Sequence, residues 1–174
     1  VYYTKTNEIT EFKSNTFSFG AVLSNIGSKI SYNSTRRDFI PANLGLGVAY
    51  GIAIDEYNRF TIALDVNKLL VPTPIDTSSS PDEVKYYIPE KSVVGGMLSS
   101  FTDAPGGFKE ELREFQVSIG AEYWYQNQFA LRAGYFYEDK HKGDRKYFTV
   151  GVGLRYKVFQ INGSYLVPSG SGIN

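Results

Sequence analysis

Large apolar residues recur at every second position over several stretches of this 174-residue chain, and the positions between them are tiny or polar. The clearest stretch covers residues 44–54. Leu44, Leu46, Val48, Tyr50, Ile52 and Ile54 fall on one side of an extended strand; Gly45, Gly47, Ala49, Gly51 and Ala53 fall on the other. A half-buried strand of a soluble sheet sets charged or hydroxyl side chains against its apolar face, because the second face meets water. Here the second face is bare. Lipid on one side and a confined interior on the other is the better fit. About eleven residues of tilted strand is also the length that crosses a bilayer.

The same alternation predicts seven strands after an opening segment around Val1-Tyr2-Tyr3. The first covers residues 16–27, with Phe17, Phe19, Ala21 and Leu23 on one face, and the second is the 44–54 run. The third sets Phe60, Ile62, Leu64 and Val66 outward against Thr61, Ala63, Asp65 and Asn67. The fourth opposes Phe115, Val117, Ile119, Ala121, Tyr123 and Tyr125 to Gln116, Ser118, Gly120, Glu122 and Trp124. In the fifth, Phe129, Leu131, Ala133, Tyr135 and Tyr137 oppose Ala130, Arg132, Gly134, Phe136 and Glu138. Phe148, Val150, Val152, Leu154 and Tyr156 mark the sixth, backed by Thr149, Gly151, Gly153 and Arg155. The seventh carries Phe159, Ile161 and Tyr165 outward, with Gln160, Asn162 and Ser164 inward.

The connections alternate in length: long (28–43), short (55–59), very long (68–114), short (126–128), medium (139–146) and short (157–158). An up-and-down barrel with tight turns at one end and long loops at the other gives this alternation. A soluble sandwich has no reason to. Lys157-Val158 fits least well, because it lacks the Gly or Asn that a two-residue hairpin turn prefers. The expected fold is therefore all-β, an antiparallel up-and-down transmembrane β-barrel, with residues 1–174 part of a single barrel domain and 68–114 a long extracellular loop insertion. The chain opens at Val1 and closes on the loop-like Pro168-Ser169-Gly170-Ser171-Gly172-Ile173-Asn174, so it is expected to be a fragment lacking strands at both ends.

Composition narrows the function classes. Fourteen Tyr, 12 Phe and 17 Gly suit strands and interfacial aromatic girdles. A formal net charge of zero argues against a nucleic-acid binder, which needs a basic face. With no cysteine, disulfides, thiolate metal sites and cysteine nucleophiles are excluded. No apolar run reaches the roughly 18 residues of a transmembrane helix.

Four charged residues, Asp65, Glu122, Arg132 and Arg155, fall on the inward face. A tight turn centred on Asn127 sets Glu122 opposite Arg132. Either they form an ionic network in a polar lumen or they contact a substrate or plug. Gly120, Gly134, Gly151 and Gly153 relieve curvature there or leave room for a ligand. No catalytic constellation is visible. The single histidine, His141, sits among Lys140, Lys142 and Gly143 in a loop, and Asp55-Glu56 and Asp82-Glu83 are acidic pairs in turns without calcium-loop spacing. Gly151-Val152-Gly153 lies within a strand and opens no helix, so it is no phosphate loop. The reading is of a non-enzyme with no cofactor and no metal.

The long 68–114 segment is too apolar for a solvated linker, and loops of that length are uncommon unless functional. A lid over the barrel mouth and a partner-docking surface both fit, and the two are compatible. Tyr86, Tyr87, Met97, Phe101, Pro105 and Phe108 are its candidate partner-binding residues, on apolarity and expected exposure.

Several segments carry a family resemblance: Ser24-Asn25-Ile26-Gly27-Ser28-Lys29-Ile30, Phe39-Ile40-Pro41-Ala42-Asn43-Leu44, Leu64-Asp65-Val66-Asn67-Lys68-Leu69-Leu70-Val71-Pro72-Thr73-Pro74, and Ser100-Phe101-Thr102-Asp103-Ala104-Pro105-Gly106-Gly107-Phe108-Lys109-Glu110-Glu111-Leu112. In these the chain resembles the PorV/PorQ family of FadL-like outer-membrane barrels, and Asp-Ala-Pro-Gly-Gly-Phe points to the PorV branch. The resemblance implies a barrel of about 14 strands when complete, of which this chain would be roughly the C-terminal half without the last strand. It further implies a non-enzymatic component of the type IX secretion system in the outer membrane of a Gram-negative bacterium. The implied partners are a giant translocon barrel, the C-terminal domains of secreted cargo, a surface attachment complex with a sortase-like protease, and outer-membrane lipid. The competing reading is a FadL-type transporter of small hydrophobic molecules, against which the polar inward residues weigh. A soluble all-β interaction module leaves the loop alternation unexplained.

Overall fold

The computed structural model describes residues 1–31, 37–77, 86–87 and 90–169. Among them lie β1 (Tyr2–Thr10), β2 (Lys13–Ser24), β3 (Ile30–Ser31), β4 (Arg37–Asp38), β5 (Asn43–Ala53), β6 (Asn58–Leu69), β7 (Ile75–Asp76) and β8 (Tyr86–Tyr87). Helices α1 (Val93–Ser99) and α2 (Phe108–Glu111) follow, then a 3-10 turn at Leu112–Glu114. The chain continues through β9 (Phe115–Tyr125), β10 (Phe129–Tyr137), β11 (Lys146–Tyr156) and β12 (Phe159–Pro168). Eight strands form one sheet in the order β1-β2-β5-β6-β9-β10-β11-β12, so sheet neighbours follow chain order in an antiparallel up-and-down arrangement. The fold is all-β. The two-residue pairs β3/β4 and β7/β8 stand outside this sheet.

The period-two signal located the main strands to within three residues at most ends, and β9 begins and ends where the alternation does. One strand it did not give is β1. Tyr-Tyr-Thr-Lys-Thr-Asn-Glu-Ile-Thr has no apolar alternation after Tyr3, and its pairing rests on β2 instead. Thr4 Oγ1 meets Ser18 Oγ at 3.1 Å and Thr6 Oγ1 meets Thr16 Oγ1 at 3.0 Å, cross-strand hydroxyl pairs that hold a polar strand in register.

The tight turns take the backbone that hairpins need. Gln126 and Asn127 have φ of 52° and 56°, and Gln128 N–H donates to Tyr125 O at 3.0 Å, a type I′ turn. Between β11 and β12, Lys157 itself takes φ 51° in place of a glycine. Before β6, the Asp55 carboxylate accepts from the backbone N–H groups of Tyr57 (2.8 Å) and Asn58 (2.7 Å) and from the Asn58 side chain. These bonds, that from the Asn58 side chain foremost, hold its carboxyl below the usual carboxylate range.

The distribution of apolar side chains is inverted relative to a soluble domain. Among the described residues the buried hydrophobics are Ala42, Leu70, Ala104 and Ala130. The large residues of the alternating faces are exposed instead, including Val48, Ile52, Ile62, Leu64, Leu131, Val150, Val152 and Ile161. An apolar face of that kind is unfavourable against water and suited to hydrocarbon. No helix of the described residues is long and apolar enough to cross a membrane, a fact silent about strands.

The chain divides into two compact units. The first comprises Val1–Ala21, Gly45–Asn67 and Gln116–Asn174 and holds most of the large sheet; the second comprises Val22–Leu44 and Lys68–Phe115 and holds both helices.

Candidate partner-binding module

The second unit gathers the recognisable sequence segments into one body. Asn25, at φ 56°, donates from its side chain to Pro41 O at 3.3 Å, and Leu70 N–H donates to Ala42 O at 2.7 Å. Lys29 Nζ lies 4.2 Å above the Phe39 ring. Phe39 and Pro72 in turn press on Gly96, where an added Cβ would come within 2.8 Å of the Phe39 ring. That close approach explains a glycine inside α1. It also explains why the sequence did not announce a helix: Val93-Val94-Gly95-Gly96 is a poor helix former, and Ser92 starts it by accepting from Gly95 N–H at 3.1 Å.

At the centre of this unit sits a charged cluster. Lys68 is 1% exposed and pairs with Glu111 at 3.2 Å and Glu114 at 2.7 Å, carboxylates that are 6% and 13% exposed. Its ammonium also faces the rings of Phe115 at 5.2 Å and Phe101 at 5.8 Å. Buried charges persist only where partners meet them, and the remaining acceptor capacity is filled too. Glu111 accepts Ala104 N–H at 2.7 Å, and Glu114 accepts Thr73 Oγ1–H at 2.9 Å. Asp103 accepts the Ser99 hydroxyl at 3.1 Å and the Thr73 backbone N–H at 3.4 Å, with Lys91 at 3.5 Å, and competes with Glu114 for the one Thr73 hydroxyl proton. Every buried polar side-chain atom among the described residues has a partner. The Asp-Ala-Pro-Gly-Gly-Phe segment is thereby fixed: Glu110 caps Gly106 N–H at 2.7 Å, and Gly107 takes φ 68°, which suits only glycine comfortably.

This frame holds large apolar side chains out. Phe108 is 78% exposed and Leu98 70%, and Val94, Leu112, Tyr87 and Phe101 are exposed as well. Of the residues expected to bind a partner, Phe108, Tyr87, Phe101 and Pro105 are exposed, and Met97 is half-buried in α1. The Tyr86 side chain lies outside the described residues. Sequence reasoning missed Val94, Leu98 and Leu112. The i, i+4 spacing of Val94 and Leu98 was the available signal, hidden by the two glycines between them.

The charges expected to face inward lie in the first unit. Register pairs Glu122 with Arg132, whose Nε donates to the Glu122 carboxylate, and Arg132 Nη1 donates to Asn162 Oδ1 at 3.0 Å. Arg155 Nε donates to Gln160 Oε1 at 3.1 Å. The two guanidiniums meet at one indole: Arg132 lies 5.4 Å and Arg155 4.7 Å from the Trp124 ring. Asp65 lines, with Glu122 and Arg132, a cleft of about 500 Å³, but joins no ion pair with them. Nearer the loops, Arg145 donates to the Glu138 carboxylate from Nε at 2.7 Å and from Nη2 at 2.9 Å, and this fork holds the Glu138 carboxyl below its ordinary range. His141 pairs with Asp139 at 2.8 Å, and no group of three or more metal-ligating side chains occurs among the described residues.

A family model described as "Type IX secretion system protein PorV" matches residues 1–76 of the chain. That stretch contains the Asn25, Phe39–Ala42 and Lys68–Thr73 contributions to the second unit. No curated protein matches the chain.

Proposed function

We propose, from the match of the PorV family model to residues 1–76, that the chain is a PorV-type component of type IX secretion with a non-enzymatic role in the outer membrane. In this reading the exposed apolar face of the strands meets lipid, and the 68–114 loop is extracellular. The loop binds the C-terminal domains of secreted cargo at the giant translocon barrel, and the protein passes them to the surface attachment complex with its sortase-like protease.

One observation supports this above the others. The second unit spends an internally satisfied ion network on holding Phe108, Leu98, Val94 and Leu112 against water. Exposed aromatic and aliphatic anchors on a stiff support are what a protein partner's pocket uses, because little ordering remains to be done on binding.

The test is affinity purification of the tagged full-length protein from its native outer membrane in mild detergent, with mass spectrometry of what accompanies it. Recovery of a very large barrel protein, or of secreted proteins sharing a C-terminal domain, supports the reading. Phe108→Ala combined with Leu112→Ala should then lose one of those partners, since a buried aromatic anchor is worth about 2 kcal/mol or more. A barrel recovered alone with bound lipid or fatty acid would replace this proposal with the transporter of small hydrophobic molecules.

A further inference from the structure

The apolar face of β10 and β11 is graded along the strands. Cross-strand partners share a face, and on this one Leu131, Ala133, Val150 and Val152 form an aliphatic middle. Aromatic rings gather towards the two ends. At the turn end Tyr125 pairs with Phe129 and Tyr156 with Phe159. At the other end the rings of Tyr135 and Phe148 lie 4.6 Å apart, next to Tyr137. Each end also carries one lysine over a tyrosine: Lys146 Nζ is 5.5 Å from the Tyr137 ring, and Lys157 Nζ is 5.5 Å from the Tyr156 ring. Between these two lysines β11 sets no charge on this face. A protein's contact patch has the reverse order, with aromatic anchors at its centre and a polar rim. Rings at both edges, a saturated middle and lysines that end in an ammonium beside a ring match a bilayer, whose headgroup regions take hydroxyls and ammoniums and whose core takes neither. The height agrees. β11 has 11 residues. A strand of that length, at about 3.4 Å per residue and a tilt near 40°, rises about 25 Å, the apolar height of an outer-membrane-type barrel.

We propose that the Lys146–Tyr137 pair and the Lys157–Tyr156 pair mark the two headgroup boundaries of a lipid bilayer on this face, with Val150 near its midplane. The inference rests on the outer-membrane reading above and adds to it where along each strand the lipid starts and stops.

The full-length protein is reconstituted into phosphatidylcholine vesicles after Trp124→Phe, which removes the one tryptophan of this chain. A single tryptophan is then returned by Tyr137→Trp, Val150→Trp or Tyr156→Trp, and its emission is quenched with phosphatidylcholines brominated near the headgroup or near the acyl-chain ends. Val150→Trp should favour the deep bromines by about twofold or more, and Tyr137→Trp and Tyr156→Trp the shallow ones. A ranking in which Val150→Trp is not the deepest overturns the boundaries, yet leaves the strands in lipid and the outer-membrane reading standing. Absence of bromolipid quenching at all three positions, in protein that floats with the vesicles, overturns both. A second readout covers a tryptophan variant that does not fold. Val150→Arg should lower the folding equilibrium constant in the vesicles on the order of 100-fold, against less than about fivefold for Tyr156→Arg. Equal losses from the two arginines overturn the boundaries.

Discussion

Replacing Lys68 with methionine removes the buried ammonium at the end of β6 that pairs with Glu111 and Glu114. The perturbation is close to isosteric in its stem, so the main loss is charge. Two carboxylates, Glu111 and Glu114, would be left at 6% and 13% exposure with no ammonium between them. Removing one partner of a buried ion pair costs about 3–5 kcal/mol in general. Here Glu111 keeps the Ala104 N–H and Glu114 can keep the Thr73 hydroxyl, which places the expected cost nearer to ~3 kcal/mol. At about 1.4 kcal/mol per factor of ten, local opening becomes on the order of 100-fold more frequent. Hydrogen exchange resolved by residue measures this at two amides that depend on the cluster, Ala104 N–H (bonded to Glu111) and Leu70 N–H (bonded to Ala42 O). Both should exchange faster in Lys68→Met, while amides of β10 and β11, in the first unit, keep their protection. Adding Glu111→Gln and Glu114→Gln should recover most of the loss by removing the stranded charges. Lys109→Met, an exposed lysine of the same segment, should do nothing. Exchange at Ala104 and Leu70 that rises less than about threefold in Lys68→Met would refute the claim that this network holds the module.

Three further outcomes follow from the geometry. Glu138 has its carboxyl lowered by the Arg145 fork, so its stabilisation is complete above the ordinary carboxylate range and is lost as pH falls through the depressed value; loop amides from Asp139 to Asp144 should lose protection on acidification below about pH 4, and Glu138→Gln should flatten that dependence. Gly96→Val forces side-chain atoms onto Phe39 and Pro72, and a loss of about 1–3 kcal/mol confined to the second unit should appear as faster protease cleavage within residues 93–114. Lys157→Gly relieves a left-handed lysine at a two-residue turn and should raise the denaturant midpoint by about 0.5–1 kcal/mol, whereas Lys157→Val should lower it.

The alternation of residues 44–54, 115–125 and 129–137 determined strands, faces and neighbours unaided. In a strand the side-chain period is fixed by backbone geometry, and short turns leave adjacent strands only one way to pair. The opposition of Glu122 and Arg132 was legible for the same reason, because a tight turn sets the register of the hairpin that carries them. The rest needed the tertiary structure. β1 is a strand because β2 supplies hydroxyls opposite its threonines, and nothing in Tyr-Tyr-Thr-Lys-Thr says so. Lys68 reads as one more polar residue at a strand end; only the return of Glu111 and Glu114, more than forty residues along, makes it a buried anchor. Likewise α1 forms against its own propensity, because Phe39 and Pro72 leave room for nothing larger than glycine. Period and turn length are local properties that a chain carries wherever it goes. Burial and charge pairing depend on which distant segments meet, and that is decided only when the chain has folded.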